Sequence, residues 1–265
     1  MSPINKEIFL SIITITKNNH NGITKTIKSV SGQTNHNFEH IIIDNLSQDA
    51  TNEEVNKYIL NKPKSLKIKY IRELDKGISD AMNKGLISSK GSHILFLNSG
   101  DVLISQNTID KIYQFIYSNP KKKLYLFGVL IEINQKRVPK INIPINIFTM
   151  FISNFIHHQG AIYNKEFIIS NNHEFDMRFP FIGCDYYFNL KLVTFKNISK
   201  VDYRNSLNIT IMDGKGISYN NPTKVFSVQH KIRLYIFGKK YYLPSILIRF
   251  IMQYKLYKFL NLFKL

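Results

Sequence analysis

The chain has 265 residues, 44% of them hydrophobic and 13% aromatic, enough for one large domain or two small ones around a real core. This composition excludes a disordered or collagenous chain, and a single cysteine, Cys184, excludes a disulfide framework and a cysteine-based zinc site and points to a reducing compartment. Lys+Arg 36 against Asp+Glu 18 give a net charge of +18, which admits nucleic acid, an anionic membrane or a phosphorylated small molecule as partner.

In chain order, residues 9–16 read as a buried β-branched strand and 21–33 as a helix with Ile23, Ile27 and Val30 on one face. Strands are predicted at 38–44, 68–72 and 92–97, with helices at 49–60 and 78–88 between them. Apolar strands alternating with helices imply βαβ crossovers and a mostly parallel, Rossmann-like sheet flanked by helices. A further strand follows at 124–133, then an irregular stretch with Pro139 and Pro144. Residues 154–160 lead into a strand and a short helix, and Asp185 opens a helix whose body is 186–195. Pro222 begins a helix with Val225, Val228, Ile232 and Tyr235 on one face, stopped by Gly238. Pro244 opens a last helix with the stripe Ile248, Met252, Leu256, Phe259 and Phe263.

No membrane span is expected. The apolar run at 8–16 is too short and lacks a signal-peptide pattern, and 243–265 is broken by Arg249, Lys255, Lys258 and Lys264. Residues 222–265 hold nine Lys or Arg and no acidic residue, half of the net charge, so this end can lie on a bilayer without crossing it. No basic run interleaved with aromatics resembles a nucleic-acid-binding module, and nucleic acid is not an expected partner.

In such sheets ligands bind beyond the carboxyl ends of the strands, which here carry Thr16 to Asn19, Asp44 to Asp49, Glu73 to Gly77 and Asn98 to Asp101. Asp44 can accept from a base or sugar hydroxyl, or cap the next helix. Asp80, Asn83 and Lys84 lie on neighbouring turns and can face one ligand, while Asp75 and Lys76 read equally well as a cap and a solvated face. Asp101 suits a hard divalent cation shared with phosphate oxygens, or a turn. His157, His158 and Gln159 form a compact polar trio without the spacing of a zinc site. Asp185 reads as a helix cap or as a general base partly desolvated by Phe181, Tyr186 and Tyr187.

Taken in order, Ser11-Ile-Ile-Thr-Ile-Thr, the strand ending at Asp44 with Ser47-Gln-Asp-Ala-Thr51, Asp75-Lys-Gly-Ile-Ser-Asp-Ala-Met-Asn-Lys-Gly85 and Phe96-Leu-Asn-Ser-Gly-Asp101 closely resemble the family 2 glycosyltransferases of GT-A fold. The likeness is strongest to the bacterial branch that builds O-antigen and other surface polysaccharides. It is close over residues 10–103 and looser through His158-Gln159 and Asp185 to Gly216-Ile-Ser218. The resemblance implies a nucleotide-sugar site of Thr16, Asn18, Asp44, Asp75, Lys76, Asp80, Asn83 and Asn98. It implies a divalent metal, Mn²⁺ or Mg²⁺, on Asp101, acceptor or diphosphate contacts from His158 and Gln159, and Asp185 as catalytic base. Ser99 and Gly100 stand where the family's acidic motif is often richer in carboxylates, and Lys17 where an aromatic is common.

The resemblance therefore implies a metal-dependent, inverting hexosyl or N-acetylhexosaminyl transferase with a nucleotide-sugar donor, a UDP-sugar foremost, and a lipid-linked oligosaccharide acceptor. Its place would be the cytoplasm, peripheral on the inner face of a bacterial plasma membrane, with an anionic lipid surface as partner. The expected organisation is a GT-A catalytic domain at 1–221, with a nucleotide-sugar half at 8–103 and an acceptor half at 104–221, and a basic amphipathic helical extension at 222–265. A catalytically degenerate scaffold of a glycan-assembly complex and a nucleic-acid-binding protein are the competing readings.

Overall fold

The computed structural model describes residues 8–140, 147–194, 201–214 and 221–262. Strand β1 (Leu10–Thr16), helix α1 (His20–Ser31), β2 (Phe38–Asp44), α2 (Thr51–Asn61), β3 (Lys67–Arg72), α3 (Ile78–Ser88) and β4 (His93–Phe96) follow one another in the expected alternation. Pairing is parallel from β3 through β2 and β1 to β4. The chain winds outward from β1 to β3, then returns over the sheet through α3 to place β4 on the far side of β1. The strand order reverses between β1 and β4, and this reversal opens a crevice at their carboxyl ends.

The apolar strands are continuous because both faces of the sheet are covered, and the period of two divides their side chains. Ile12, Ile42 and Leu95 join Ile23, Ile27 and Val55 in one layer under α1 and α2, whereas Ile13, Ile41, Ile43 and Phe96 join Met82 and Leu86 of α3 in the other. Burying each such side chain is worth about 1.5–3 kcal/mol against leaving it exposed.

The second half extends this sheet in mixed directions. It contributes β5 (Val102–Leu103), α4 (Thr108–Ser118), β6 (Leu124–Ile133), β7 (Lys136–Lys140), α5 (Ile147–Ile152), β8 (Ala161–Asn164), α6 (Lys165–Ser170), α7 (Cys184–Thr194) and β9 (Val201–Asp213). The order is β3-β2-β1-β4-β8-β6-β9-β5, with β7 paired to β6. Strand β8 runs antiparallel to both β4 and β6, whereas β6 and β9 pair in parallel, so only the first four strands form a continuous parallel block. The irregular stretch expected around Pro139 is instead β7, joined to β6 by a tight turn in which Asn134 and Gln135 have φ of 48° and 63°. Such a turn usually carries glycine, and Pro139 is tolerated because β7 is an edge strand. Pro144, Phe195 and the Gly216–Ser218 segment lie outside the described residues.

Two helices complete the described chain: α8 (Pro222–Phe237), which starts at Pro222 and stops at Gly238, and α9 (Tyr242–Leu262). Ile232 of α8 is fully buried in the core layer shared with α3 and α7. Arg233, 1% exposed, donates from Nε to Ser245 Oγ of α9 (2.8 Å) and from Nη1 to the carbonyls of Phe151 and Ile152 at the end of α5. A cation at a helix C-terminus is favourably placed against the helix dipole. Among the described residues no helix is long and apolar enough to cross a membrane.

Candidate active site

A cleft of about 940 Å³ lies beyond the carboxyl ends of β1 and β4, walled by the start of α3, the turn before α7, and α8. Its floor is the loop after β1. Asn18 takes a left-handed φ of 46°, its N–H donates to Ser47 Oγ (2.8 Å), and its Oδ1 accepts from the Gln48 N–H (2.8 Å). Asn19 caps α1 by accepting from the Gly22 N–H (3.1 Å) and donates to the Ser99 carbonyl (3.2 Å). The loops after β1, β2 and β4 are thus stitched together around the crevice. Thr16 Oγ1, Asn98 Oδ1 and Ser99 Oγ are buried here without hydrogen-bond partners, and all three residues line the cleft. Buried polar atoms are nearly always paired, so three orphans on one wall mark where a polar ligand completes the site.

Asp75 faces the same space. Its Oδ1 accepts from Asn45 Nδ2 (2.8 Å) and the Gly77 N–H (2.9 Å), and burial pushes its carboxyl above the ordinary range. Gly77 is required by its φ of 121° and by the Pro180 carbonyl, 2.7 Å from where a Cβ would stand. Lys17 and Lys76 add cationic side chains to the cleft lining.

Three candidates are turned elsewhere. Asp44 is fully buried; Oδ1 accepts from Ser47 Oγ (2.5 Å) and the Ser47 N–H, and Oδ2 from the Tyr70 hydroxyl (2.7 Å), with Arg72 Nε at 3.5 Å. Asp80 accepts from the Lys76 N–H (2.9 Å) and pairs with Lys84. Asn83 clamps the Phe175 backbone at both its N–H and C=O. None of the three lines the cleft; each instead braces a segment that does, or that lies next to one.

Asp101 sits at the inner end, 4% exposed, its Oδ2 accepting from Gln159 Nε2 (3.1 Å) and its Oδ1 from the Asp213 N–H (2.9 Å). Burial pushes this carboxyl up to about 6 against the pull of the Asp213 N–H, His158 and Gln159, and the Asp213 charge adds to the rise. Gly100, with φ of 106°, leaves room for the Asp213 carboxyl, whose Oδ2 would lie 3.3 Å from a Cβ there.

Asp185 occupies the opposite wall in the first turn of α7, where the helix N-terminus favours a negative charge. Burial raises its carboxyl, but His158 close by, with the N–H groups of the helix start, outweighs this and holds it below the ordinary value. Asn154 Nδ2 donates to its Oδ2 (2.9 Å), and Asn154 is itself approached by Asn189, which accepts from the Tyr163 hydroxyl. His158 joins the two walls: Nε2 lies 3.1 Å from Asn98 Nδ2 and Nδ1 3.8 Å from Asp185 Oδ2. With the Asn98 amide donating to Nε2, the Nδ1 that faces the carboxylate carries a proton. An ionised, partly exposed carboxylate fixed in this way can take a proton from a bound hydroxyl.

No three His, Cys, Asp or Glu converge on a single point among the described residues, so the chain offers no closed metal cage. The oxygen-bearing groups that could share a hard cation with phosphate are the Asp101 carboxyl, Asp213, whose N–H it accepts from, and the orphaned Asn98 Oδ1, all on the same cleft. A cation of this type fills its other positions with water and phosphate oxygens. Asn154, Asp213 and Gln229 also line the cleft without having been expected there; Asp213 ends β9, a strand absent from the expected elements.

Comparison with known proteins agrees with this geometry. The model of a family described as glycosyl transferase family 2 matches residues 11–171. A PGL/p-HBAD biosynthesis glycosyltransferase of Mycobacterium bovis is 30% identical over 122 residues, 46% of this chain and 47% of that one. An uncharacterised glycosyltransferase of Rickettsia bellii is 32% identical over 110 residues, 42% of this chain and 15% of that one. The matched region thus spans less than half the length of these curated relatives. Among solved structures, TarS of S. aureus in complex with UDP-GlcNAc superposes with a TM-score of 0.66 at 19% identity, over 91% of this chain and 70% of that one. The mannosyltransferase PcManGT of Pyrobaculum calidifontis, solved with GDP-Man and Mn²⁺, gives 0.61 at 12% identity, over 84% of this chain and 64% of that one. With its mixed α/β sheet of GT-A type and a family match over residues 11–171, the chain belongs to glycosyl transferase family 2.

Proposed function

We propose that this protein transfers a sugar from a nucleotide-diphosphate donor to an acceptor hydroxyl in one displacement that inverts the anomeric centre. The observation that carries this reading is the pair of carboxylates on one cleft, Asp101 deep and pushed up to about 6, Asp185 partly exposed and held below the ordinary value, with His158 lying between Asp185 and Asn98. Groups whose surroundings push their pKa values apart are suited to different tasks.

Asp185 takes the proton of the acceptor hydroxyl as that oxygen attacks the anomeric carbon, and the bond from this carbon to the diphosphate oxygen breaks with its electron pair on the leaving group. Base assistance of this kind is worth about 10²–10⁴-fold. The orphaned hydroxyls of Thr16 and Ser99, with Asn18, Asp75 and Asn98, hold the nucleotide side, and Lys17 and Lys76 face the charge that develops on the diphosphate. Asp101, with Asp213 and Asn98 on the same cleft, would hold a divalent metal, which would neutralise that charge. Asp44, Asp80 and Asn83 serve the donor by fixing Ser47, the Lys76 turn and Phe175 rather than by touching it.

The donor is a UDP-sugar carrying a hexose or N-acetylhexosamine; TarS is a fold neighbour solved with UDP-GlcNAc. The acceptor is a lipid-linked oligosaccharide of surface-polysaccharide synthesis at the cytoplasmic face of the plasma membrane. The exposed side chains of Leu243, Leu247, Phe250, Ile251 and Tyr254 on α9, at helical spacing beside exposed Lys239 and Lys240, support docking on anionic lipid. The catalytic half-sites lie within 8–103 and 104–221, α8 adds a wall to the cleft, and α9 is the lipid-facing part of the 222–265 extension.

Asp185→Asn tests the assignment. Turnover of the donor falls by about 10²–10⁴-fold while affinity for the free nucleotide stays at the wild-type value. Wild-type turnover in this variant removes Asp185 as the base.

A further inference from the structure

Helix α8 is a wall of the cleft as well as a packing element. A Cβ at Gly183, which has φ of 86°, would lie 2.7 Å from Val228 Cγ1 and 3.1 Å from Ile232 Cδ1, so α8 rests directly against the turn that ends two residues before Asp185. Arg178 adds a second tie, its guanidinium 4.0 Å from the centroid of the Tyr235 ring. From this seat Val225 and Gln229, one helical turn apart, line the same cleft as Asp185, Asn154 and His157.

Gln229 is only 6% exposed, yet its carboxamide has no hydrogen-bond partner among the described residues. Its neighbours on the helix differ in this respect: His230 and Arg233 both bond to Ser245 Oγ. The residue as a whole is buried but its amide atoms are not sealed off, and the cleft they line is the side from which partners come.

We propose that Gln229 recognises the acceptor sugar, its C=O accepting from one hydroxyl and its NH₂ donating to the next, so that an adjacent hydroxyl is turned toward Asp185. The chemistry of the side chain selects this ligand. A carboxamide offers one acceptor and two donors without charge, which matches a pair of vicinal hydroxyls, whereas a diphosphate oxygen calls for donors and positive charge. The cleft's lysines, Lys17 and Lys76, belong to the loops after β1 and β3, elements remote in sequence from α8. Val225 gives the sugar ring an apolar flank. This inference rests on Asp185 acting as the base, as set out under Proposed function.

Gln229→Met keeps the length and packing of the side chain and removes only its polar atoms, and Gln229→Ala serves as the second variant. Transfer is measured from UDP-, GDP- and dTDP-sugars to p-nitrophenyl glycosides of glucose, galactose, mannose and N-acetylglucosamine, with nucleotide affinity measured in parallel. Both variants fold with the wild-type circular dichroism spectrum and bind nucleotide as the wild type does, while KM for the glycoside rises about tenfold or more. An unchanged KM, or a loss of nucleotide affinity as large as the rise in KM, overturns the assignment. So does a wild-type protein that binds nucleotide but uses no glycoside of the panel. Failure of the underlying reading is distinguishable, because it appears as wild-type turnover in Asp185→Asn, and this inference then falls with it.

Discussion

On the proposed reading, Thr16 is a side chain unfavourable for the empty protein and useful to the loaded one. Its Oγ1 is buried at the carboxyl end of β1 with no partner, at a cost of about 1–3 kcal/mol that a ligand hydroxyl or amide would recover. Thr16→Val, nearly the same in shape, is therefore expected to raise the melting temperature of the free protein while weakening nucleotide binding. Opposite signs in calorimetry and titration confirm the role; a loss of both stability and affinity contradicts it. Asp75, Lys76, Asn98, Asp101 and Asp185 could be placed beside the crevice from sequence because strand ends and Gly-bounded turns concentrate polar groups in this fold, and each lines the cleft. Asp80 and Asn83 share a helix with the right spacing, but spacing fixes only their positions relative to each other. Which face of α3 meets the cleft was decided by the docking of Phe175 and Pro180, roughly a hundred residues later in the chain. Gln229 and Asn154 were invisible for the same reason, as their meaning comes from neighbours that only tertiary structure supplies.

At the scale of elements, period and length carried most of the information. The run Ile-Ile-Ile in β2 could be read as a doubly covered strand because Ile42 and its two neighbours divide between two core layers. Helix α4 is absent from the expected elements although Ile109, Ile112 and Ile116 lie at helical spacing, and it covers the sheet beside Tyr125 and Phe127. The β6–β7 hairpin could not be read, since its turn uses Asn134 and Gln135 where glycine gives the usual cue. For α9, the expected stripe began at Ile248, whose flank is partly buried; Met252, Leu256, Phe259 and Phe263 fall outside the described side chains. The exposed row is offset from it, running through Leu243, Leu247, Phe250, Ile251 and Tyr254. On vesicles containing phosphatidylglycerol the protein is expected to co-sediment, less so as salt is raised, and the double variant Leu247→Asp, Phe250→Asp is expected to stay in the supernatant with its catalytic rate on soluble acceptors intact. Binding that survives these two charges removes α9 as the lipid-facing element.

The whole molecule is one sheet whose first four strands create the crevice and whose remaining strands and helices close it. Its buried histidines give it a definite response to acid. Burial pushes His40 and His173 down to about 3 and His93 and His157 down to about 4. The unfolded chain takes up these protons near pH 6.5 and the folded one does not, so stability is fully present above pH 6.5 and is lost as pH falls toward 4, by about 1.4 kcal/mol per pH unit for each group. Asp101, pushed up to about 6, and Asp75, also raised, oppose this, two carboxyls against five imidazoles once the lowered His230 is included. The melting temperature is therefore expected to decline steadily between pH 6.5 and 5, and a flat profile over that interval contradicts the burial of these rings.

The most direct test of the cleft as a nucleotide-sugar site is a thermal-shift comparison of UDP, GDP, dTDP and CMP, each with Mn²⁺ or with EDTA, on the wild type and on Asp101→Ala. Stabilisation by one nucleotide above the others, dependent on the metal and lost in Asp101→Ala, is the expected result. No stabilisation by any nucleotide at millimolar concentration, with or without metal, would contradict it.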